Sequence, residues 1–147
     1  MTGKRIVLPG VTGEFTAKIE ERPDLEVNDC GVHYDGEFIH VYGAQEESAR
    51  KFRSLYFLFK NNGATKAPTF YQLIYRSLSE FTLEKAEARE AISVDINFDI
   101  DKGLYQASFN GIVKGVGVGP MDILCRFDLV KCSGQLIPDT TLSFFSA

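Results

Sequence analysis

The ten residues from Ile92 to Asp101 constrain the fold most, because apolar and polar side chains alternate there without a break. Isoleucine, valine and phenylalanine occupy the even positions, and serine, aspartate and asparagine occupy the odd positions. Successive side chains of a strand point to opposite faces, so the segment predicts a strand with one apolar and one acidic face. Gly103 follows as a turn residue that tolerates a positive φ.

Two further strands are predicted after this turn, with the same alternation. The first places these residues inward: Tyr105, Ala107, Phe109 and Val113. The second places these inward: Met121, Ile123, Cys125, Phe127 and Leu129. A glycine-rich stretch from Lys114 to Pro120 joins the two strands. A phosphate-binding turn requires a following helix, and Pro120 leads into a strand, so the stretch predicts an inter-strand loop.

The N-terminal third also predicts strands. Lys4–Leu8 is a short candidate, and Gly13–Glu20 alternates apolar and polar side chains. Asp35-Gly36 is a strong two-residue hairpin signal between Asp29–Tyr34 and Glu37–Tyr42. In that register His33 faces Phe38 and Gly31 faces His40. The predicted core face of the hairpin carries Cys30, Val32, Tyr34, Ile39 and Val41.

The middle of the chain predicts helices instead. Gln45–Asn61 has apolar residues at helical spacing: Ala49, Phe52, Leu55, Tyr56 and Phe59. A second helix beginning at Pro68 would bury Phe70, Leu73, Ile74, Leu78 and Phe81. Thr82–Ala91 either extends that helix or forms a third. Thr141–Phe145 predicts a last short strand.

The predicted fold class is therefore α+β: an antiparallel sheet of N-terminal and C-terminal strands, packed against a central pair of helices. A helix-filled, partly closed barrel is the alternative. The 147 residues fit one domain, residues 1–147, that can bury a sizeable core. No apolar run approaches the ~20 residues that cross a bilayer, and no secretory signal is evident. Together with an odd number of cysteines, this predicts a cytoplasmic protein with free thiols.

Charge is distributed unevenly along the chain. The net charge of −4 does not favour nucleic-acid binding. Residues 45–78, however, carry six basic and two acidic side chains, which gives +4. This segment could therefore meet an anionic partner.

A partner-binding surface is predicted on the outer side of the first helix. Phe57 would project away from the core stripe, with Arg50, Arg53 and Lys60 around it. Aromatic and arginine side chains are typical of interface centres. Tyr75 and Arg76 on the second helix could enlarge this surface. The competing interpretation is that other parts of the chain cover Phe57.

Three other groups of residues are weaker candidates. Asp29, His33, His40 and Tyr42 share the outer face of the predicted hairpin, with the two histidines about 7 Å apart as diagonal neighbours. They could bind zinc or transfer a proton, although a plain polar face explains them as well. Asp95, Asn97, Asp99 and Asp101 form an acidic strand face. They do not complete a calcium loop, because Ile100 replaces its glycine and Gln106 replaces its glutamate.

The usual enzyme signatures are absent, so the sequence favours a small, soluble, non-catalytic binding protein. It would act through protein contacts, as inhibitors, immunity proteins and adaptors do, or through self-association. No metal or cofactor is expected. The alternative is a small-molecule-binding or small catalytic domain, with an aromatic pocket between sheet and helices. In that case His33, His40 and Asp29 would be the acid–base candidates.

Overall fold

The computed structural model describes residues 5–8, 10–63 and 65–131, and every regular element in them is a β-strand. The strands are β1 (Arg5–Leu8), β2 (Val11–Ile19), β3 (Leu25–Glu26), β4 (Asp29–Tyr34), β5 (Phe38–Ser48), β6 (Lys51–Lys60), β7 (Thr69–Ser79), β8 (Thr82–Ala88), β9 (Ser93–Asp99), β10 (Leu104–Gly115) and β11 (Val118–Lys131). The described residues contain no helix, and therefore none that is long and apolar enough to cross a membrane.

The strands form one antiparallel sheet that curls into a half-barrel. Its order is β1-β2-β11-β10-β8-β7-β6-β5-β4, with β3 beside β2 and β9 beside β10. Two consecutive parts of the chain, β8 and β9, lie along the same edge of β10. The sheet thus has one half built from β4–β8 and another built from β2 and β9–β11. Gly115 allows the backbones of β10 and β8 to approach closely, because any side chain there would collide with the carbonyl of Lys85.

Aromatic rings fill the space between the two halves. Phe57 of β6 lies 5.3 Å from Phe109 of β10 and 5.8 Å from Phe127 of β11, measured between ring centroids. Phe15 of β2 reaches the same cluster and stacks on Phe127 at 5.5 Å. Gly43 makes room for this ring, since a Cβ atom there would lie 2.6 Å from it. The inward positions predicted for β10 and β11 are all buried, which confirms that part of the sequence reading.

The predicted central helices are wrong, and with them the α+β fold class. Gln45–Asn61 ends β5 and forms β6, while Pro68–Phe81 and Thr82–Ala91 correspond to β7 and β8. In β6 the buried side chains are Leu55, Phe57 and Phe59, which follow the two-residue period of a strand. Outward positions of this strand also carry large apolar residues, so apolar and polar side chains do not alternate along it and the sequence gives no sign of a strand. Short apolar runs of this kind are compatible with an α-helix or a β-strand, and pairing with the neighbouring strands stabilises the strand here.

The first predicted hairpin exists but has a different register. Val32 pairs with Val41 and His33 with His40, because the last pair is Tyr34 with Ile39 and four residues, Asp35–Phe38, lie between them rather than two. The shift is two residues, and side chains alternate with a period of two, so each residue keeps its face. Four of the five predicted core-face residues are buried, and Tyr34 is half-buried.

The other connections and strand ends agree in part with the sequence. β10 and β11 meet in a tight turn at Val116-Gly117, which is shorter than the predicted glycine loop. β9 is a strand as predicted, and Ile96 and Phe98 pack against the core. Thr141–Phe145 lies outside the described residues.

Candidate functional site

Large uncharged side chains cover much of the outer surface of β5–β7. They lie on outward positions in neighbouring strands, because Tyr42 pairs with Tyr56 and Tyr56 pairs with Ile74. A register shift at Leu58 and Phe59 leaves Tyr71 as an extra residue of β7 beside them. We call this surface the aromatic face; it comprises Phe38, His40, Tyr42, Tyr56, Leu58, Tyr71 and Ile74.

The rings of the aromatic face pack on one another rather than standing free in solvent. Tyr42 and Tyr56 stack in parallel with 6.4 Å between centroids. Phe38 and Tyr71 meet edge to face at 4.9 Å. Of the seven side chains, Tyr71 alone is exposed, at 44%, and the others are half-buried. The surface is therefore ordered and apolar, and it still faces outward.

A hydrogen-bonded chain crosses one side of the aromatic face. The His40 ring lies 2.7 Å from the Tyr56 hydroxyl through Nδ1 and 2.9 Å from Asp35 Oδ2 through Nε2. When Nε2 carries the proton, it donates to the carboxylate while Nδ1 accepts from the tyrosine. Carboxylate, imidazole and phenol could pass a proton along this line, and they fix the orientation of both rings.

The hairpin loop holds the Asp35 carboxylate in place. Its Oδ1 atom accepts hydrogen bonds from the backbone amides of Phe38 at 2.7 Å and Glu37 at 2.9 Å. The Phe38 amide, then the His40 ring, then the Glu37 amide lower the pKa of Asp35 from its ordinary value. The side chain therefore stays ionised beside His40.

The structure brings together only part of the predicted histidine site. His33 and His40 are direct partners with their rings 5.6 Å apart, closer than the predicted diagonal. Asp29 lies four residues before His33 on β4, about 13 Å along the strand. The carboxylate beside His40 is that of Asp35, for which the sequence predicts a role in the hairpin turn only. Within the described residues, no group of three or more His, Cys, Asp or Glu could hold a metal ion.

Tyr42 belongs to both the predicted histidine site and the aromatic face. Burial raises the pKa of the Tyr42 hydroxyl, and the nearby Asp29 and Cys30 raise it further. The hydroxyl therefore stays protonated near neutral pH and is available as a hydrogen-bond donor.

The predicted helix face does not exist as one surface, because β6 and β7 replace the helices. Phe57 and Tyr75 point inward and are fully buried. The Tyr75 hydroxyl is buried without a hydrogen-bond partner among the described residues. Alternation along a strand, rather than helical spacing, determines where both rings point.

The four basic residues of that prediction lie in separate places. Arg53 donates to the Pro23 carbonyl at 2.7 Å and the Asp24 carbonyl at 3.0 Å, so it ties the turn before β3 to β6. Arg50 lies 5.8 Å from the Phe81 ring. Lys60 lies 6.0 Å from the Phe38 ring, at the border of the aromatic face, and Arg76 is exposed on the outer side of β7. Their binding role stays a prediction.

The predicted acidic strand face belongs to a larger polar surface on the other half of the sheet. Asp95 pairs with Ser108, Asn97 with Gln106, and Gln106 with Asp128. We call the outward side of β2 and β9–β11 the charged face; its ionisable residues are Glu14, Lys18, Asp95, Asp99, Lys114, Asp122, Arg126 and Asp128. Asp101 lies in the turn after β9, and Asp99 accepts a hydrogen bond from the Lys102 amide at 3.2 Å.

A small pocket of about 150 Å³ lies at the ends of β5–β7. Its lining includes Gln45, Phe52, Arg53, Ser77 and Leu78. It is smaller than the ~300 Å³ at which ligand pockets usually begin. The aromatic face is therefore the more extensive candidate.

No protein-family model, curated protein or solved structure matches the chain.

Proposed function

We propose that this protein is a non-catalytic binding protein, and that the aromatic face receives a protein partner. The observation that carries the proposal is the contrast between the outward positions of the two halves of one sheet. On β5–β7 these positions include interlocked rings and aliphatic side chains, whereas on β9–β11 they are mainly charged and small polar, with Leu104, Ile112 and Leu124 as isolated exposed apolar residues. A sheet gains nothing in its core from outward-facing rings, so their presence supports a binding role.

The composition of the aromatic face supports a protein partner. Interface centres are enriched in tyrosine and phenylalanine and depleted of charge, and charged residues form their rim. Here the centre has no carboxylate, lysine or arginine side chain. The neighbouring charged residues are of both signs: Asp29, Lys60, Arg76 and Glu87. A mixed rim favours a protein over a polyanion such as nucleic acid.

Preorganisation is the second support. Side chains that are already immobile lose little conformational entropy when a partner binds. Tyr56 is held by its stacking on Tyr42 and by its hydrogen bond to His40. His40 is in turn held by Asp35. The face could therefore bind with little rearrangement.

The interior offers less support for a ligand pocket. The alternative function required an aromatic cavity between sheet and helices, and the structure has no helices in the described residues. Phe59 lies 4.9 Å from Phe98 and 5.8 Å from Phe57, so neighbouring rings occupy the middle of the half-barrel. A packed interior beneath an outward apolar surface favours the binding-protein proposal.

The test is affinity capture from the native host, followed by measurement of Kd with the purified captured protein. Tyr56→Ala and Tyr71→Ala should each weaken binding by about 30-fold, the effect of losing a ~2 kcal/mol hot spot. Leu124→Ala and Arg126→Ala, on the charged face, are the matched controls and should leave Kd unchanged. If the two controls weaken binding and the tyrosine variants do not, the partner binds the charged face and the proposal is wrong.

A cytoplasmic location and self-association remain parts of the proposal. Cys30 and Cys125 are free and buried, which suits a reducing compartment. If the captured partner is a second copy, light scattering will show a concentration-dependent dimer. Tyr56→Ala should then reduce that dimer.

A further inference from the structure

A row of outward residues crosses five strands at one side of the aromatic face. Each member pairs with the next across β4 to β8: Asp29, Ala44, Ser54, Arg76 and Lys85. Each of them is next in the chain to a buried inward residue, so all five side chains point outward. The row spans four strand spacings, which is about 19 Å. We call this row the trough.

Larger side chains flank the middle of the trough. On β6, Tyr56 of the aromatic face lies on one side of Ser54, and Phe52 lies on the other side. Phe52 pairs with Leu78 of β7, which extends this second flank to the next strand. Tyr56 and Phe52 are four residues apart in one strand, so about 13 Å separates their Cα atoms. The short side chain of Ser54 between them leaves room for an extended polypeptide.

The two ends of the trough carry opposite charges. Arg76 and Lys85 are exposed and are direct cross-strand partners on β7 and β8. Like charges directly opposite each other destabilise a sheet, so folding alone gives no reason for this pair. An anion bound between the two side chains would replace their repulsion by charge-assisted hydrogen bonds. At the other end lies Asp29, which is half-buried.

We propose that the trough holds an extended segment of the protein partner, with a carboxylate side chain of that segment between Arg76 and Lys85. The inference rests on the proposed function, because apolar side chains of the same segment would pack on Tyr56 and Ile74 of the aromatic face. Ile74 is two residues from Arg76 on the same side of β7. The acidic and apolar residues of the partner therefore lie within about four positions of each other, since an extended chain rises about 3.4 Å per residue.

The surroundings of the cation pair favour one carboxylate over a polyanion. Glu87 is two residues from Lys85 on the same side of β8, and its Oε1 atom accepts a hydrogen bond from the Gln72 side chain at 2.7 Å. Asp29 lies at the far end of the trough. A nucleic acid or an anionic membrane would bring negative charge over both carboxylates. A polypeptide can instead place one acidic side chain at the pair and uncharged side chains elsewhere.

Selection from random peptides of about twelve residues, displayed on phage, tests the chemistry of the segment. The full-length protein should enrich peptides in which Asp or Glu lies near aromatic or aliphatic residues. The double variant Arg76→Gln/Lys85→Gln should lose the enrichment in Asp and Glu and keep the apolar enrichment. The matched control is Lys18→Gln/Arg126→Gln, which removes two exposed cations from the charged face and should select the same peptides as the wild type.

Affinity measurements with a synthetic copy of the most enriched peptide then test the ion pairs. The Arg76→Gln/Lys85→Gln variant should raise Kd by about tenfold. Replacing the acidic residues of the peptide by their amides should raise Kd for the wild type by a similar factor and should add little for the double variant, because the same interaction has already been lost. The exchange in the peptide is informative even if the double variant folds poorly.

The outcomes separate this inference from the proposed function. Peptides that bind more weakly to Tyr56→Ala but show no enrichment in Asp or Glu would overturn the inference and support the proposed function. Peptides that bind Tyr56→Ala as tightly as the wild type would contradict the proposed function itself, and a wild type that enriches no peptide would contradict both.

A polyanion would give a different result. If phosphatidylserine vesicles or single-stranded DNA of about twelve thymidines bind the wild type as tightly as the selected peptide does, and Arg76→Gln/Lys85→Gln abolishes that binding, the cation pair serves a polyanion and the inference is wrong. Failure of both probes to displace the labelled peptide supports the inference.

Discussion

The aromatic face and the charged face are the outward sides of two halves of one curled sheet, and both halves bury every second side chain in the core. Beneath both, alternate side chains are buried: Leu55 and Phe57 under the first, Cys125 and Phe127 under the second. Their outward positions differ, since Tyr56 is half-buried among rings whereas Arg126 is exposed. The core needs only the inward positions, so the outward ones are free to serve another purpose. The difference between the faces is therefore informative about function.

The substitution with the largest expected effect tests whether alternate residues of β6 point into the core, as the assignment of the aromatic face requires. Phe57→Ala should lower the free energy of unfolding by about 3–5 kcal/mol, because it leaves a cavity among buried aromatic rings. The control is Arg126→Ala, an outward residue, which should change it by less than about 0.5 kcal/mol. Urea unfolding measures both values. A small effect of Phe57→Ala would mean that β6 faces the other way and that the aromatic face is misassigned.

A pair of hydroxyl deletions sharpens the contrast between the two faces. Tyr56→Phe removes the 2.7 Å hydrogen bond to His40 and should cost about 0.5–1.5 kcal/mol. Thr16→Val, on β2, removes an exposed 3.4 Å contact to the Arg126 carbonyl. It should change the free energy of unfolding by no more than a few tenths of a kcal/mol. Equal costs in thermal or urea unfolding would argue that the aromatic face is no more ordered than the charged face.

The pH dependence of Asp35 tests the hydrogen-bonded chain. Its pKa in the folded protein lies below the ordinary value of 3.8, so its contribution to stability is complete above that value. The contribution is lost as the pH falls through the folded pKa, because the unfolded chain takes up the proton first. The Tm difference between wild type and Asp35→Asn should therefore shrink as the pH falls below about 4. A difference that grows as the pH falls below about 4 would contradict this arrangement.

The smallest expected effect concerns the two buried cysteines, one in each half of the sheet, whose thiols should be equally unreactive in the folded protein. Burial, reinforced by Asp29, raises the pKa of Cys30 to about 11, and burial also raises the pKa of Cys125. Thiolates are the reactive form, so in a Cys132→Ser background neither thiol should react with a disulfide reagent at about pH 8. Both should react after unfolding in urea. Rapid labelling of one thiol in the folded protein would show that its half of the sheet is loosely packed.

The strands that carry the charged face are the ones that the sequence predicts correctly. Each outward aspartate of β9 separates two apolar inward residues, so hydropathy reports the strand period directly. In β6 the outward positions hold Phe52, Tyr56 and Leu58, and the period disappears. The proposed binding surface and the wrong helix prediction thus have the same cause, namely apolar residues where the core does not require them.

For the candidate site, the sequence predicts which face of the sheet each residue lies on, but not which residues are its neighbours. The alternation of side chains along a strand places His33, His40 and Tyr42 on one outward face. This prediction is correct although the predicted register is wrong by two residues, because a shift of two leaves each residue on the same face. The neighbours Tyr56 and Ile74 lie in segments for which the sequence predicts helices, so their pairing across strands does not follow from the sequence. Asp35 could have been recognised, because an aspartate in such a turn commonly accepts hydrogen bonds from amides two and three residues on.

The central claim is that a protein partner binds the aromatic face on β5–β7, and an NMR titration of the labelled protein with the captured partner tests it most directly. We expect the largest shift changes at outward positions such as Tyr42, Tyr56 and Ile74, with little change at Ser108, Arg126 and Asp128. Changes concentrated on the second group, with the first unaffected, would contradict the claim.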